Sequence, residues 1–175
     1  MRANATKAVE EVPERGAVII DSGTTGERLA QVFPVERDVH VVTNSLLTAL
    51  SLSRRGVREL TVLGGAVRTK RHTMADETTR DELERLNIDV LFLSCDGLSF
   101  QRGLTTPYRE EHAIKRAMMR CARRVVALVD ASKFHNVQMF SFARFAEIDV
   151  LVTDARAEDA DVEFLESHGL TVHRA

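Results

Sequence analysis

The chain has 175 residues, 44% hydrophobic and 29% charged, which is enough material for one compact domain with a real core. Lys and Arg number 24 against 26 Asp and Glu, a net charge of −2, so the composition carries no electrostatic footprint for nucleic acid or an anionic membrane. Apolar runs are short, the N-terminus has no apolar segment of a secretory signal, and Cys95 and Cys121 are too few for a disulfide framework, which points to a reducing cytoplasm.

In chain order, residues 5–11 can form a short helix closed by Pro13 and Gly16, followed by a strand at 17–21 and an amphipathic helix at 25–33. A second strand at 39–43 leads into a helix at 45–55, with Gly56 as its left-handed cap. The third strand is at 59–65. A polar, irregular stretch (66–73) precedes a charged helix at 76–86. Residues 89–97 form a fourth strand, 99–108 a loop and 109–124 a helix with Ala113, Ile114, Ala117, Met118 and Cys121 at helical spacing. Strands at 125–130 and 149–154, a helix at 157–169 and a strand at 170–174 complete the chain. Apolar strands without strict alternation, each followed by a helix, predict a doubly wound, mainly parallel α/β sheet with helices on both faces. No linker, repeat or low-complexity segment interrupts it, so 1–175 reads as a single domain.

Ligands of open parallel sheets collect beyond the carboxyl ends of the strands. There the sequence places Asp21–Thr25, Thr43–Asn44–Ser45, Gly64–Gly65, Asp96–Gly97 and Asp130–Lys133 in five successive turns. The SGTTG segment has the chemistry of an anion receptor: glycines allow close backbone approach, hydroxyls donate, and a helix start offers free N–H groups. The competing reading is that Ser22, Thr24 or Thr25 caps the helix. Likewise, Thr43–Asn44–Ser45 can be a cap, Gly64–Gly65 a turn, Asp130 with Lys133 a surface ion pair, and Glu111 with Lys115 a solvated i,i+4 pair. Cys95 reads as a small buried hydrophobe. The segment is neither a P-loop nor a GxGxxG fingerprint, no GxSxG elbow surrounds Ser22, and the histidines lack metal-ligand spacing. Neither metal nor cofactor is expected.

Taken together, IDSGTTGERLA, VVTNSLLTAL, LTVLGG, CDGLSFQRGLTTPYREEHAIKRAMM and LVDASKF resemble the C-terminal sensor domain of DeoR-type bacterial transcriptional regulators, from about Gly16 to Val172. The resemblance implies a Rossmann-like fold similar to ribose-5-phosphate isomerase. It also implies a pocket that senses a phosphorylated metabolite, commonly a sugar phosphate, and that alters DNA binding by an N-terminal helix-turn-helix absent from these residues. DNA is then a partner only through that module, no membrane is involved, and self-association is expected. On this resemblance Asp21, Ser22, Gly23, Thr24 and Thr25 form the phosphate site. Thr43, Asn44, Gly64, Gly65, Asp96, Gly97, Thr105, Glu111, Lys115 and Lys133 line the rest of the pocket.

Two departures from the isomerases bear on activity. Their D-G-A-D stretch has two aspartates, whereas CDGLS keeps Asp96 and has Ser99 at the second position. Counting back from D-x-S-K to the isomerase glutamate lands on Lys115, and an ammonium cannot accept a proton. No catalytic residue is therefore assigned. The alternative is an aldose–ketose phosphate isomerase with Glu111 or Asp96 as base. Relative to whole regulators the chain reads as an excised sensor fragment rather than a stand-alone protein.

Overall fold

The computed structural model describes residues 2–175. Its centre is a sheet of seven parallel strands: β1 (Arg15–Ile20), β2 (Asp38–Thr43), β3 (Glu59–Val62), β6 (Ile88–Ser94), β9 (Ala122–Leu128), β11 (Val150–Thr153) and β12 (Thr171–Arg174). Their order is β12-β11-β9-β6-β1-β2-β3, so the winding reverses between β1 and β6. Six helices accompany them: α1 (Arg2–Ala8), α2 (Thr24–Val32), α3 (Leu46–Arg55), α4 (Glu77–Leu83), α5 (Arg109–Cys121) and α6 (Asp159–Ser167). All seven predicted main strands and the doubly wound arrangement are present. Gly56 closes α3 with its N–H bonded to Leu52 and Ser53.

The period of two explains why these strands look uniformly apolar in sequence. Val18, Ile20, Val90, Phe92, Val126, Leu128, Val150 and Val152 face one layer, packed on Leu29 of α2, Phe33 just beyond it and Leu52 of α3. Their neighbours Ile19, Leu91, Leu93, Val125, Ala127 and Leu151 face the other, against Ile114 and Met118 of α5 and Leu165 of α6. Both faces are covered, so neither residue of each pair can be polar.

The structure departs from the sequence reading in three places. Residues 66–75 carry a two-stranded hairpin, β4 (Val67–Arg68) with β5 (Thr73–Met74), which is tied to β2's end by an Asn44–Met74 backbone bond and by Leu46 N–H to the His72 carbonyl. Residues 97–106, expected to be strand end and loop, form β7 (Gly97–Ser99) and β8 (Gly103–Thr106), joined by β10 (Phe140–Ala143) into an antiparallel sheet. Helix α5 ends at Cys121, and Ala122–Arg124 already belong to β9 because their register pairs Ile88 with Ala122 and Val90 with Arg124.

Gly103 holds the small sheet together. Its φ is +72°, and a methyl group there would overlap the carbonyl oxygen of Ala143 on β10. Gly103→Ala combines a left-handed backbone penalty with that overlap and should lower stability by about 2 kcal/mol or more. A urea titration reading a lower midpoint at unchanged slope checks this; wild-type stability would show that the β8–β10 approach is looser than described.

Candidate functional site

The reversal of winding leaves a crevice between the ends of β1 and β6, where open α/β sheets bind ligands. A cavity of about 460 Å³ opens there, with Ser22–Thr25 on one wall, Ser94, Cys95 and Asp96 beside it, and Asp130, Ser132 and Lys133 beyond. Lys70, Arg71, His72 and Thr73 of the hairpin form the opposite wall. A larger, more open hollow of about 980 Å³ lies against β8, β10 and the start of α6's C-terminal turn, lined by Phe100, Arg102, Phe145 and His168. It contains none of the site residues singled out from the sequence. The smaller cavity is the chemically organised one.

Its floor is a buried ion pair. Lys115 on α5 and Asp21 at the end of β1 have side chains 3% and 2% exposed, with Nζ 2.5 Å from Oδ2. Lys115 also donates to the Ser94 carbonyl at 3.0 Å and to the Ser94 hydroxyl at 3.3 Å, so its three N–H groups all have protein partners. Asp21 Oδ2 accepts in addition from the Ser94 amide at 3.0 Å, and the Ser94 hydroxyl lies 2.8 Å away. That hydroxyl is also 2.5 Å from the Ser22 carbonyl. Burial pulls the Lys115 pKa down, but the charge and hydrogen bond of Asp21, with Glu111 and Asp96 behind it, leave it above its ordinary 10.5. Lys115 is an ammonium, not a base.

Above this floor the SGTTG turn is open. Gly23 is the N-cap of α2 at φ +121°, a conformation reserved in practice for glycine, and no side chain caps the helix. The first amide to bond back is that of Glu27, to Gly23 at 3.0 Å. The amides of Thr24, Thr25 and Gly26 have no hydrogen-bond partner among the described residues. The Thr24 and Thr25 hydroxyls are equally without partners among them, and the Ser22 hydroxyl makes only a long 3.5 Å contact with Asp21. Capping by Ser22, Thr24 or Thr25, the competing sequence reading, does not occur.

Of the residues predicted to form the site, Ser22, Gly23, Thr24, Thr25, Asp96, Lys115 and Lys133 line the cavity, and Asp21 lies beneath it. The others are engaged around it. Thr43 accepts the Ser45 amide, and Asn44 donates to the Met74 carbonyl, so both fix the hairpin and α3. Gly64 donates to Glu82 and accepts from Thr79, and Gly65 packs against Asp76, so the glycine pair docks α4. Thr105 donates to Gly97 and accepts from Gln138, closing the small sheet. Glu111 and Lys115 are not a solvated pair. Glu111 is buried, its carboxylate 2.7 Å from Arg71 Nε off the hydrogen-bond axis and 3.2 Å from the Thr106 hydroxyl. Burial raises the Glu111 pKa, opposed by Lys115 and Arg71. Nor do Asp130 and Lys133 pair with each other; Asp130 bonds Arg156 at 2.9 Å. Cys95 flanks the cavity, and burial pushes its thiol up to about 12, leaving no thiolate near neutrality.

The sequence reading missed the hairpin wall, Glu27 and Ser94; Asp130 it placed at the same sheet edge but read as a surface partner of Lys133. The run RTKRHT, with Arg68, Lys70 and Arg71 close together, was the one available signal for the hairpin. Among the described residues no group of three or more His, Cys, Asp or Glu could hold a metal ion, and no helix is long and apolar enough to cross a membrane.

Comparison with known proteins bears on the family and the fold. Residues 2–155 match the family model described as the DeoR C terminal sensor domain. The chain is 36% identical over 171 residues to the HTH-type transcriptional regulator GlpR of Haloferax volcanii, covering 98% of this chain and 67% of that protein. It is 29% identical to a putative aga operon transcriptional repressor of Escherichia coli O157:H7, over 98% of this chain and 64% of that one. The chain thus spans about two thirds of the length of these relatives. In fold it is similar to ribose 5 phosphate isomerase A from Neisseria gonorrhoeae, with a TM-score of 0.55 at 18% identity, covering 76% of this chain and 52% of that one.

Removing one member of the buried pair strands the other. Lys115→Met should cost about 3–5 kcal/mol near neutrality, and adding Asp21→Asn should recover much of it. Because the folded-state pKa of Lys115 is raised, its contribution is fully present below pH 10.5 and is lost as pH rises through the higher folded value. The gap between wild type and Lys115→Met in urea unfolding should therefore be constant from pH 6 to 9 and shrink in strong alkali. A gap near zero at pH 7 would refute the pair's structural role.

Proposed function

This chain belongs to the DeoR C-terminal sensor domain family, and we propose that its cavity receives a small phosphorylated metabolite of the sugar-phosphate class, with the phosphate on Ser22–Thr25. One observation carries the reading. Three amides at the start of a nine-residue helix and two threonine hydroxyls converge on a cavity with no internal partner. Such groups complement an anion through the helix dipole and through charge-assisted hydrogen bonds. Lys70 and Lys133, whose side chains have no hydrogen-bond or ionic partner among the described residues, supply positive charge on opposite walls.

The chain as a whole, 1–175, acts in this reading as one ligand-binding unit of a cytoplasmic, self-associating regulator. A helix-turn-helix elsewhere in that regulator contacts DNA, in keeping with the name of its relative, an HTH-type transcriptional regulator. The ligand changes DNA affinity only by binding two arrangements of the assembly unequally. No catalysis is proposed. The Lys115 ammonium is held by Asp21 and Ser94 and cannot abstract a proton. Ser99, at the place of the second isomerase aspartate, accepts the Gln101 and Arg102 amides and shapes the turn between β7 and β8. Glu111 lies behind Arg71 rather than on the cavity wall.

A thermal-shift panel of sugar and polyol phosphates tests the site. A ligand present at about a hundred times its Kd should stabilise the chain by about 2.7 kcal/mol. Thr24→Ala combined with Thr25→Ala should weaken the best ligand by about tenfold or more, since each hydroxyl bonds a charged group. Uniform silence across the panel, inorganic phosphate included, would overturn the reading. Turnover of a pentose phosphate would return the isomerase alternative.

A further inference from the structure

Helix α3 presents Leu46, Leu47 and Leu50 to solvent within an arc of about 100°, opposite the buried Thr48 and Leu52. Leucines at i, i+1 and i+4 make the kind of stripe a helix turns to a core, yet nothing in the chain covers this one. The exposure continues across the hairpin. The Leu46 amide bonds the His72 carbonyl, and Val67, also exposed, stands on β4 opposite Met74. Beside Val67, Arg68 and Arg71 lie over the ring of Tyr108 at 5.1 and 4.7 Å. Tyr108 sits just beyond β8, whose partner strand β10 is preceded by Met139, 80% exposed. These contacts link one apolar band from α3 over the hairpin to Met139. Single exposed leucines need no explanation, but a continuous band of large apolar groups marks an interface.

Charge indicates what covers it. Lys70 at the hairpin tip and Arg109 next to Tyr108 are cations; Glu27, which shares the cavity mouth with Leu47, and Glu110 are carboxylates. None of these four side chains has an ionic or hydrogen-bond partner among the described residues. A nucleic acid or an anionic membrane asks for cations alone. A twofold contact asks for a surface that matches itself. Two free charges of each sign around an apolar centre do so, because the cations of one copy can meet the carboxylates of the other.

We propose that this band is the contact between two copies of the chain related by a twofold axis, with α3 and the hairpin of each packed on the band of the other. Lys70–Thr73 of the hairpin are also a wall of the cavity, so the second copy braces that wall. The inference gives the regulator's self-association a surface, and it stands whether or not the cavity takes a phosphate.

Sedimentation equilibrium from about 1 to about 200 μM, with no ligand present, should show a monomer–dimer equilibrium. Leu50→Glu or Met139→Glu puts a carboxylate in the apolar centre and should weaken the dimer by about a hundredfold or more. Gln31→Glu, exposed on α2 outside the band, should leave it unchanged. Hydrogen exchange of the amides of residues 66–75 should slow by about tenfold when wild-type protein is concentrated from the monomer range into the dimer range. A monomer at every concentration would leave the band to some other segment of the regulator and overturn the inference. A dimer indifferent to both glutamates would place the contact elsewhere and overturn it as well. The exchange measurement needs no variant and decides alone should a glutamate variant fail to fold: rates at 66–75 that ignore concentration refute the packing of the hairpin on a second copy.

Discussion

A lysine ammonium and an aspartate carboxylate, both almost fully out of water, meet at the one place where the winding of the sheet reverses. Neither is tolerable alone in that setting, since desolvating a single charge costs several kcal/mol. Together with Ser94 they form a closed set in which all three ammonium hydrogens have acceptors. The consequence is geometric. Lys115 comes from α5, Asp21 from the end of β1 and Ser94 from the end of β6, so the pair fixes two adjacent strand ends and the helix that covers them. The turn that follows Asp21 is thereby anchored at its base while its upper groups, the amides of Thr24 to Gly26, remain open. A receptor for an anion needs that combination, because loose amides would pay an ordering cost on binding.

Charge around the cavity is distributed by the same logic of pairing. Arg71 faces Glu111 at 2.7 Å and Asp96 at 3.6 Å, and its guanidinium lies 4.7 Å from the Tyr108 ring centre. Asp130 and Asp154 are matched by Arg156, whose hydrogen bonds hold the Asp154 carboxyl well below the usual carboxylate range against the effect of burial. After these pairs are formed, the lysines at 70 and 133 are the cations of the wall left without ionic partners among the described residues. The surface of the chain is close to neutral, yet this hollow combines free ammonium groups with a helix start. Net charge says little about local potential.

Much of this architecture was legible in the order of residues because it depends on local rules. The seven core strands are short apolar runs bounded by turn residues, and five of the turns fall on one edge because parallel strands all end there. What was not legible depends on partners far apart in sequence. Strand β10 is four residues whose register is set by β8, with Phe140 opposite Thr106, and nothing within FSFA announces that pairing. The Glu111–Lys115 spacing is the pattern of an exposed helical pair, but the folded helix turns both inward, one to Asp21 and one to Arg71. Asp130 next to Lys133 invites a local ion pair, whereas its partner is Arg156, 26 positions on at the end of the neighbouring strand. Spacing along the chain identifies which residue types gather at an edge. It does not say which of them become structure and which remain free.

That distinction separates a sensor from the enzymes whose fold this chain resembles. An isomerase must bind its transition state better than its substrate, which requires a base free to take a proton at the reacting carbon. Here a cation locked by three hydrogen bonds stands at the sheet's reversal point, Glu111 is ion-paired with Arg71, and the one Thr106 hydroxyl proton lies within reach of both Asp96, at 2.9 Å, and Glu111, at 3.2 Å. The groups left open on the cavity wall include hydrogen-bond donors fixed on a helix start, two lysines and the Glu27 carboxylate. In the reading proposed above, such a set suits holding an anion and its hydroxyls in the ground state. Tight ground-state binding is a handicap in catalysis but is what sensing requires, because the free energy available to shift a regulator is limited by how differently its states hold the ligand.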